Sequence, residues 1–239
     1  MGRVVTFAQL TPQKSDGVGT AAITRDEVRE MSASYVRVDA GKSWSDRVPA
    51  GSDCYLFVTG GSGTIASDDV RHAVSRESFA TIEEGRSFSV ESNGPEALEM
   101  VRVLAPPAGN GRGLGGFNGK MRVAERRTTR IHDIPAEKKR RIYFVGHGAA
   151  QSERGHAMIV IYGKDTVTRL HHHPNAESMF VPLDGALEFT VNGEQVRVAP
   201  GQAAYFAMND RHGLHVAPGH SGASFLEFHI PAAFTTVRE

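Results

Sequence analysis

Short segments in which apolar and polar residues alternate recur along most of the chain, separated by Gly, Asn, Asp and Pro at spacings of about ten residues. Ser34 to Val38, Tyr55 to Val58, Ala157 to Tyr162, Ala186 to Val191 and Phe225 to Ile230 are examples, each rich in β-branched or aromatic residues. A period of two puts alternate side chains on opposite faces of an extended chain, so these segments are predicted to be strands. Many short strands between regularly spaced turn residues predict an all-β chain of sandwich or barrel type. Asn192 and Gly193 lie between two such segments and predict a two-residue hairpin, whose central positions need positive φ. The stretch from Met121 to Gly148 reads as a connection with a short helix around Ile134 to Arg141.

The pattern occurs twice. Tyr55 to Gly60 and Met179 to Gly185 occupy like places, with Gly60 and Gly185 separated by 125 positions. Each half closes on an apolar strand followed by proline: Leu98 to Leu104 before Pro106 and Pro107, and Phe225 to Ile230 before Pro231. Between the halves, residues 106–116 contain five glycines and two prolines, which is linker composition. No Gly-Lys-Ser/Thr follows these glycines, so a phosphate-binding loop is not expected. The division predicted is a first barrel over residues 1–105, a linker over 106–125 and a second barrel over 126–239.

Composition and charge narrow the partners. Of 239 residues 40% are hydrophobic and 23% charged, which is ordinary globular usage. Lys plus Arg balance Asp plus Glu at 27 each, so no overall field concentrates nucleic acid or anionic lipid, and neither is an expected partner. The basic run Lys138 to Arg141 reads as a solvated surface segment. No run of 18 apolar residues suggests a membrane span and no secretory leader is visible, so a cytoplasmic protein is expected. Cys54 is the single cysteine, so a disulfide within the chain is impossible and any metal site must rest on His and carboxylate.

The candidate chemistry lies at Thr168 to Glu177, which contains His171, His172 and His173. In a strand His171 and His173 share a face while His172 points away. A third ligand must come from another strand, and the segment from Pro200 and Gly201 to His212 supplies a turn, a strand, a second turn and a histidine. Neutral imidazole suits Fe, Zn, Cu, Ni and Mn, whereas Mg and Ca call for oxygen ligands.

These two segments resemble the paired motifs of the cupin superfamily, His-x-His with a downstream Glu and Gly, then Pro-Gly with a downstream His. The motif match runs from about Gly163 to Val216, and the strand pattern extends the resemblance over both halves as two tandem cupin-type barrels, or jelly rolls. The resemblance implies one divalent metal ion per chain on His171, His173 and His212, and a homodimer. With Gly185 twelve residues beyond His173, the family's Glu falls at position 178, where this sequence has Ser178 and carries Glu177 one place earlier. A one-residue shift turns a strand side chain to the other face unless the strand bulges, and Pro182 makes an irregularity plausible. Two ligand sets stay open: three His with Glu177, or three His alone with Ser178 or water beside the ion.

The fold superfamily holds dioxygenases, decarboxylases, isomerases, hydrolases, lyases and non-enzymatic binders, so it implies no single activity. The leading expectation is an Fe(II)-dependent dioxygenase in which a small organic substrate and O₂ share the open metal positions. The alternatives are a non-redox Mn, Zn or Ni isomerase, hydrolase or lyase with Glu177 shuttling a proton, and a small-molecule binder without catalysis. Arg169 shares the face of His171 and His173 and is a candidate for a substrate carboxylate. Phe180, Phe189, Tyr205 and Met208 are candidate walls and also core candidates. Glu227 and His229 share a face of the last strand, inside or outside. His215 is expected to face elsewhere, and His156, His220 and His229 have no motif support. In the first half Asp46 and Val48 align with His171 and His173, and Arg86 falls near His212, so no ligand set is expected there; Trp44 and Tyr55 read as packing residues.

Overall fold

In a computed structural model of the chain, residues 2–106, 111–191 and 193–239 are described. The first half forms β1 (Arg3–Thr6), β2 (Gln13–Ser15), β3 (Val18–Ala22), β4 (Ser32–Val38), β5 (Ser43–Arg47), β6 (Asp53–Gly60), β7 (Ser62–Ser67), β8 (Val70–Ser75), β9 (Ser78–Ile82), β10 (Ser87–Ser92) and β11 (Leu98–Ala105). The second forms β12 (Met121–Glu125), β13 (His132–Ile134), β14 (Lys139–Val145), β15 (His156–Gly163), β16 (Val167–His172), β17 (Glu177–Asp184), β18 (Leu187–Val191), β19 (Glu194–Val198), β20 (Gln202–Phe206), β21 (His212–Val216), β22 (Gly222–Ile230) and β23 (Val237–Arg238).

The strands make two barrels of the same design. Each has a seven-stranded sheet, β12-β9-β6-β11-β4-β3-β2 in the first and β1-β20-β17-β22-β15-β14-β13 in the second. Each is closed by a smaller sheet, β5-β10-β7-β8 in the first and β19-β18-β21-β16-β23 in the second. The two tandem cupin-type barrels expected from the strand repeat are therefore the architecture of the protein. Two strands cross the expected boundaries. Met121–Glu125, read as the end of the linker, pairs with β9 and completes the first barrel's large sheet. Arg3–Thr6 pairs with β20 and lies in the second barrel's sheet. Each pairing covers a sheet edge that would otherwise expose unpaired backbone groups.

Strand alternation distributes the apolar residues into three cores. The outer faces of the two large sheets pack on one another through Tyr55, Phe57, Phe79, Val101, Phe144, Ile159, Val181, Leu226 and Phe228, all buried. The first barrel is filled by residues such as Val36, Leu56, Ile65 and Met100, the second by Val160, Phe180, Phe189 and Phe225. Tyr55 and Tyr205 belong to the shared core and Phe189 to the second barrel's interior, so these are packing residues.

The expected helix near Ile134 to Arg141 is a single 3-10 turn, Pro135–Glu137. Lys138 follows in a left-handed conformation that ends it, and Lys139 already pairs with Tyr162 in β14. The hairpin between β18 and β19 forms with Val191 opposite Glu194. Asn192 of that turn and Pro107 of the linker lie outside the described residues.

Candidate metal centre

His171 and His212 are brought together by strand pairing. β16 runs antiparallel to β21 with His171 directly opposite His212, and a bulge between Thr168 and His171 sets this register. His173 follows just beyond β16. The three side chains are buried, and one ring nitrogen of each lies within 4.8 Å of the others, so they could hold one metal ion. His172 is not part of this group, as alternation requires.

The hydrogen bonds decide which nitrogen each ring presents. Nδ1 of His171 lies 2.8 Å from the Arg169 carbonyl, Nδ1 of His173 lies 2.9 Å from that of Thr235, and Nδ1 of His212 lies 3.0 Å from that of Asp210. A carbonyl only accepts, so each Nδ1 carries the proton and each Nε2 keeps its lone pair. Nε2 of His173 and of His212 is buried without a hydrogen-bond partner. Buried polar atoms are rarely left so, and a cation shared by the three lone pairs would satisfy them. Burial, and then the neighbouring imidazoles, holds His212 down to about 3, and burial with His229 holds His173 down to about 4. Both rings are neutral at ordinary pH, the form that ligates.

Glu177 is not in the cluster. Its Oε1 accepts the backbone N–H of Arg29 at 2.5 Å, and its Oε2 accepts those of Glu30 at 2.9 Å and Met31 at 2.8 Å. Parity explains this placement: Met179, Val181 and Leu183 on the same face of β17 pack in the shared core between the barrels, while Phe180 fills the second barrel. A bulge does occur in β17, but between Pro182 and Asp184, too late to rotate Glu177 inward. Burial pushes the Glu177 carboxyl upward against three N–H bonds that hold it down. Glu177, expected as a possible ligand or proton shuttle, thus lies outside the three-histidine cluster, its carboxylate committed to the backbone N–H groups of Arg29, Glu30 and Met31. Ser178 has the inward parity, and its Oγ lies 3.1 Å from Nδ1 of His229.

A cavity of about 520 Å³ opens over His171 and His173. One wall is β16 with Val167, Thr168 and Arg169, the last an exposed side chain at the rim. The facing wall is the inner surface of the large sheet: Lys139, Arg141 and Tyr143 from β14, His156, Met158 and Tyr162 from β15, Glu227 and His229 from β22. Alternation within each strand puts these residues in one cavity. It also corrects the reading of Lys138 to Arg141 as solvated surface, since every second member, Lys139 and Arg141, points inward while Arg140 is exposed.

Glu227 and His229 face the pocket, and Nε2 of His229 lies 2.8 Å from Oε1 of Glu227. Burial opposes ionisation of Glu227. The hydrogen bond and charge of His229, with Lys139 and Arg141 nearby, nevertheless bring its carboxyl down to about 2. His229 packs against His173, ring centroids 4.8 Å apart. His156 is held down to about 4 by burial, then by His229, and its Nδ1 is buried without a partner. His229 and His156 carry no motif, and a signal for them exists only once Phe225 and Met158 are known to point inward. His215 faces away and pairs with Glu188 at 3.1 Å, as alternation from His212 suggests.

In the first barrel β5 and β10 correspond to β16 and β21. Asp46 sits opposite Phe88, so Phe88 rather than Arg86 takes the place of His212. Arg86 instead pairs with Glu83 and Asp68. Inside, Arg102 of β11 reaches Asp46 at 2.7 Å and lies over Trp44 at 5.9 Å.

Residues 158–229 match the Cupin domain family. Among solved structures, the chain is similar to the oxalate decarboxylase of Lactobacillus farciminis in its formate complex, with a TM-score of 0.73 and 12% identity over 98% of this chain and 88% of that one. It is similar to a Cupin 2 conserved barrel domain protein from Leptotrichia buccalis, with a TM-score of 0.69 and 14% identity over 95% and 96%. It is similar also to protein Ylba from E. coli, with a TM-score of 0.73 and 10% identity over 96% and 90%. Identities this low establish the fold alone. No curated protein sequence matches the chain. The chain has two tandem barrels of cupin-type fold, with a histidine triad able to hold one metal ion in the C-terminal barrel and none in the N-terminal barrel among the described residues. No helix among the described residues is long and apolar enough to cross a membrane.

Proposed function

We propose that the protein is a metal-dependent enzyme acting on a small organic acid with an apolar body, and that the ion is Fe(II) serving a dioxygenase reaction. The observation that carries this reading is the donor set: three neutral imidazoles with Nδ1 tied to carbonyls, beneath a cavity whose facing wall bears Lys139 and Arg141. A neutral ligand set leaves the whole charge of a divalent ion for the substrate to balance, which favours an anionic oxygen donor. When bound, such an ion supplies open coordination positions for substrate and O₂ and a route for electrons between them.

The chain's own residues do the rest. The rim residues Arg169 and Arg238 attract and orient a carboxylate, with Lys139 and Arg141 behind them already paired with Glu137 at 3.1 and 2.6 Å. Tyr143, Met158, Phe180 and Phe234 line the cavity and exclude water from an apolar body. A two-carbon acid would leave much of about 520 Å³ to water, so a larger substrate fits better than the oxalate named for the Lactobacillus protein. The Glu227–His229 pair supports a second reading, non-redox isomerase, hydrolase or lyase chemistry on Mn, Zn or Ni. There Glu227 faces the cavity, held in place by the Nε2–H of His229, and is the carboxylate placed to exchange a proton with a bound substrate.

Elemental analysis of anaerobically purified protein, with oxygen-electrode assays of the Fe(II)-loaded form on phenolic acids, diketones and thiols, tests both readings. About one iron per chain and substrate-dependent O₂ uptake is the expected result. Zn, Mn or Ni with no O₂ consumption over a broad panel would move the assignment to the second reading.

A further inference from the structure

Beyond β22 the chain returns across the mouth of the second barrel. Val237–Arg238 forms β23, which adds to the edge of β16 with Arg238 opposite His171 and Val237 opposite His172. The backbone N–H of Glu239 donates to the Leu170 carbonyl at 3.1 Å. Asn175, just past the ligand motif, grips the same segment from both sides: its Nδ2 donates to the Ala233 carbonyl at 3.0 Å, and its Oδ1 accepts the Thr235 N–H at 2.8 Å. Between these anchors residues alternate, with Ala232, Phe234 and Thr236 half-buried and lining the cavity and Ala233, Thr235 and Val237 exposed.

Two contacts reach the metal-site residues. The Thr235 carbonyl is the acceptor that holds the Nδ1 proton of His173. Phe234 stacks on His229 with ring centroids 3.8 Å apart and meets His173 edge-on at 5.3 Å. The corresponding sheet of the first barrel, β5-β10-β7-β8, is complete without such a strand. Its four strands show that a barrel of this design closes without one.

We propose that residues 232–239 are a strap that belongs to the metal site rather than to the barrel: they position His173 through Thr235 and close the cavity with Phe234. The proposal rests on the three-histidine metal reading. Groups that fix the outer nitrogen of a ligating histidine commonly alter metal affinity by roughly 10- to 100-fold. The segment therefore governs affinity and leaves the barrel standing.

The test is Co(II) binding, read by competition with a chromogenic chelator and by the visible spectrum of bound Co(II). It compares the full chain, a chain ending at Pro231, and full-length Asn175→Ala and Phe234→Ala, with circular dichroism and thermal unfolding of each. Expected is a loss of roughly 10- to 100-fold in Co(II) affinity for the shortened chain, with an altered visible spectrum, an unchanged circular dichroism spectrum, and a smaller loss for Asn175→Ala. Unchanged affinity and spectrum in the shortened chain would overturn the proposal. Should that chain fail to fold, the barrel depends on the segment and the proposal fails on that count. A full chain that takes up no Co(II) would overturn the metal reading and the strap with it, whereas tight binding that ignores the strap would overturn the strap alone.

Discussion

Asp46 stands in the first barrel where His171 stands in the second, Phe88 stands where His212 does, and Arg102 of β11 stands where Glu227 of β22 does. The same strands carry these residues at the same inward positions, and the interiors nonetheless have opposite characters. Asp46 and Arg102 form an ion pair across the first barrel, with Trp44 beside the guanidinium and aliphatic side chains filling the remainder. That ion pair matches opposite charges within the barrel, although Nε of Arg102 is buried without a hydrogen-bond partner. In the second barrel three imidazoles turn their protonated nitrogens to backbone carbonyls and leave lone pairs converging on a common region. The barrel framework thus decides which positions face inward; the donor chemistry at a handful of them decides between a filled core and a site.

The largest effect should come from the histidines. His171→Ala or His212→Ala is expected to abolish stoichiometric metal uptake, measured by elemental analysis, in a chain that keeps its β circular dichroism spectrum; Asp46→Ala should retain full uptake. Retained metal in both histidine variants would end the contrast drawn between the barrels.

Glu177→Gln is expected to keep the metal and to lower stability by about 2 kcal/mol in denaturant titration, because a carboxylate serving three backbone N–H groups gives way to an amide whose NH₂ faces one of them. Loss of metal without loss of stability would return Glu177 to the ligand set. Asp46→Ala should cost less, about 1 kcal/mol, since Asp46 is 33% exposed and water can take over part of its role toward Arg102.

A further effect, spread over several groups, is that of pH on the metal-free protein. His156 and His173 are held to about 4 and His212 to about 3, while an unfolded histidine takes its proton near 6.5. The unfolded chain therefore binds more protons in this window, so their contribution is complete above about pH 6.5 and is lost as pH falls towards 4. Denaturation midpoints should decline over that range. Hydrogen exchange should locate the weakening in the second barrel, since the buried histidines all lie there. Uniform weakening of both barrels would contradict the assignment.

The sequence by itself determined a good deal here. Alternation and turn spacing predicted an all-β chain, the internal repeat predicted two like halves, and strand parity put His171 and His173 on one face, because parity is a local property that the order of residues carries; His212 joined them through the resemblance of the two segments to the cupin motifs. Glu177 shows where local reasoning stopped: whether a bulge would rotate it inward depended on where β17 breaks register with β22, and the shift falls between Pro182 and Asp184. Lys139 and Arg141 looked like solvent-facing charge until β14 was seated against β15. Glu227 and His229 shared a face in the sequence, but only the burial of Phe225 on that face made it the inner one. The strap, and the exchange of β1 and β12 between the barrels, pair residues far apart in sequence, and no periodicity records which edge a strand will join. Tertiary structure decided these features because they depend on which unpaired backbone edge and which uncovered side chains remained once the barrels had closed.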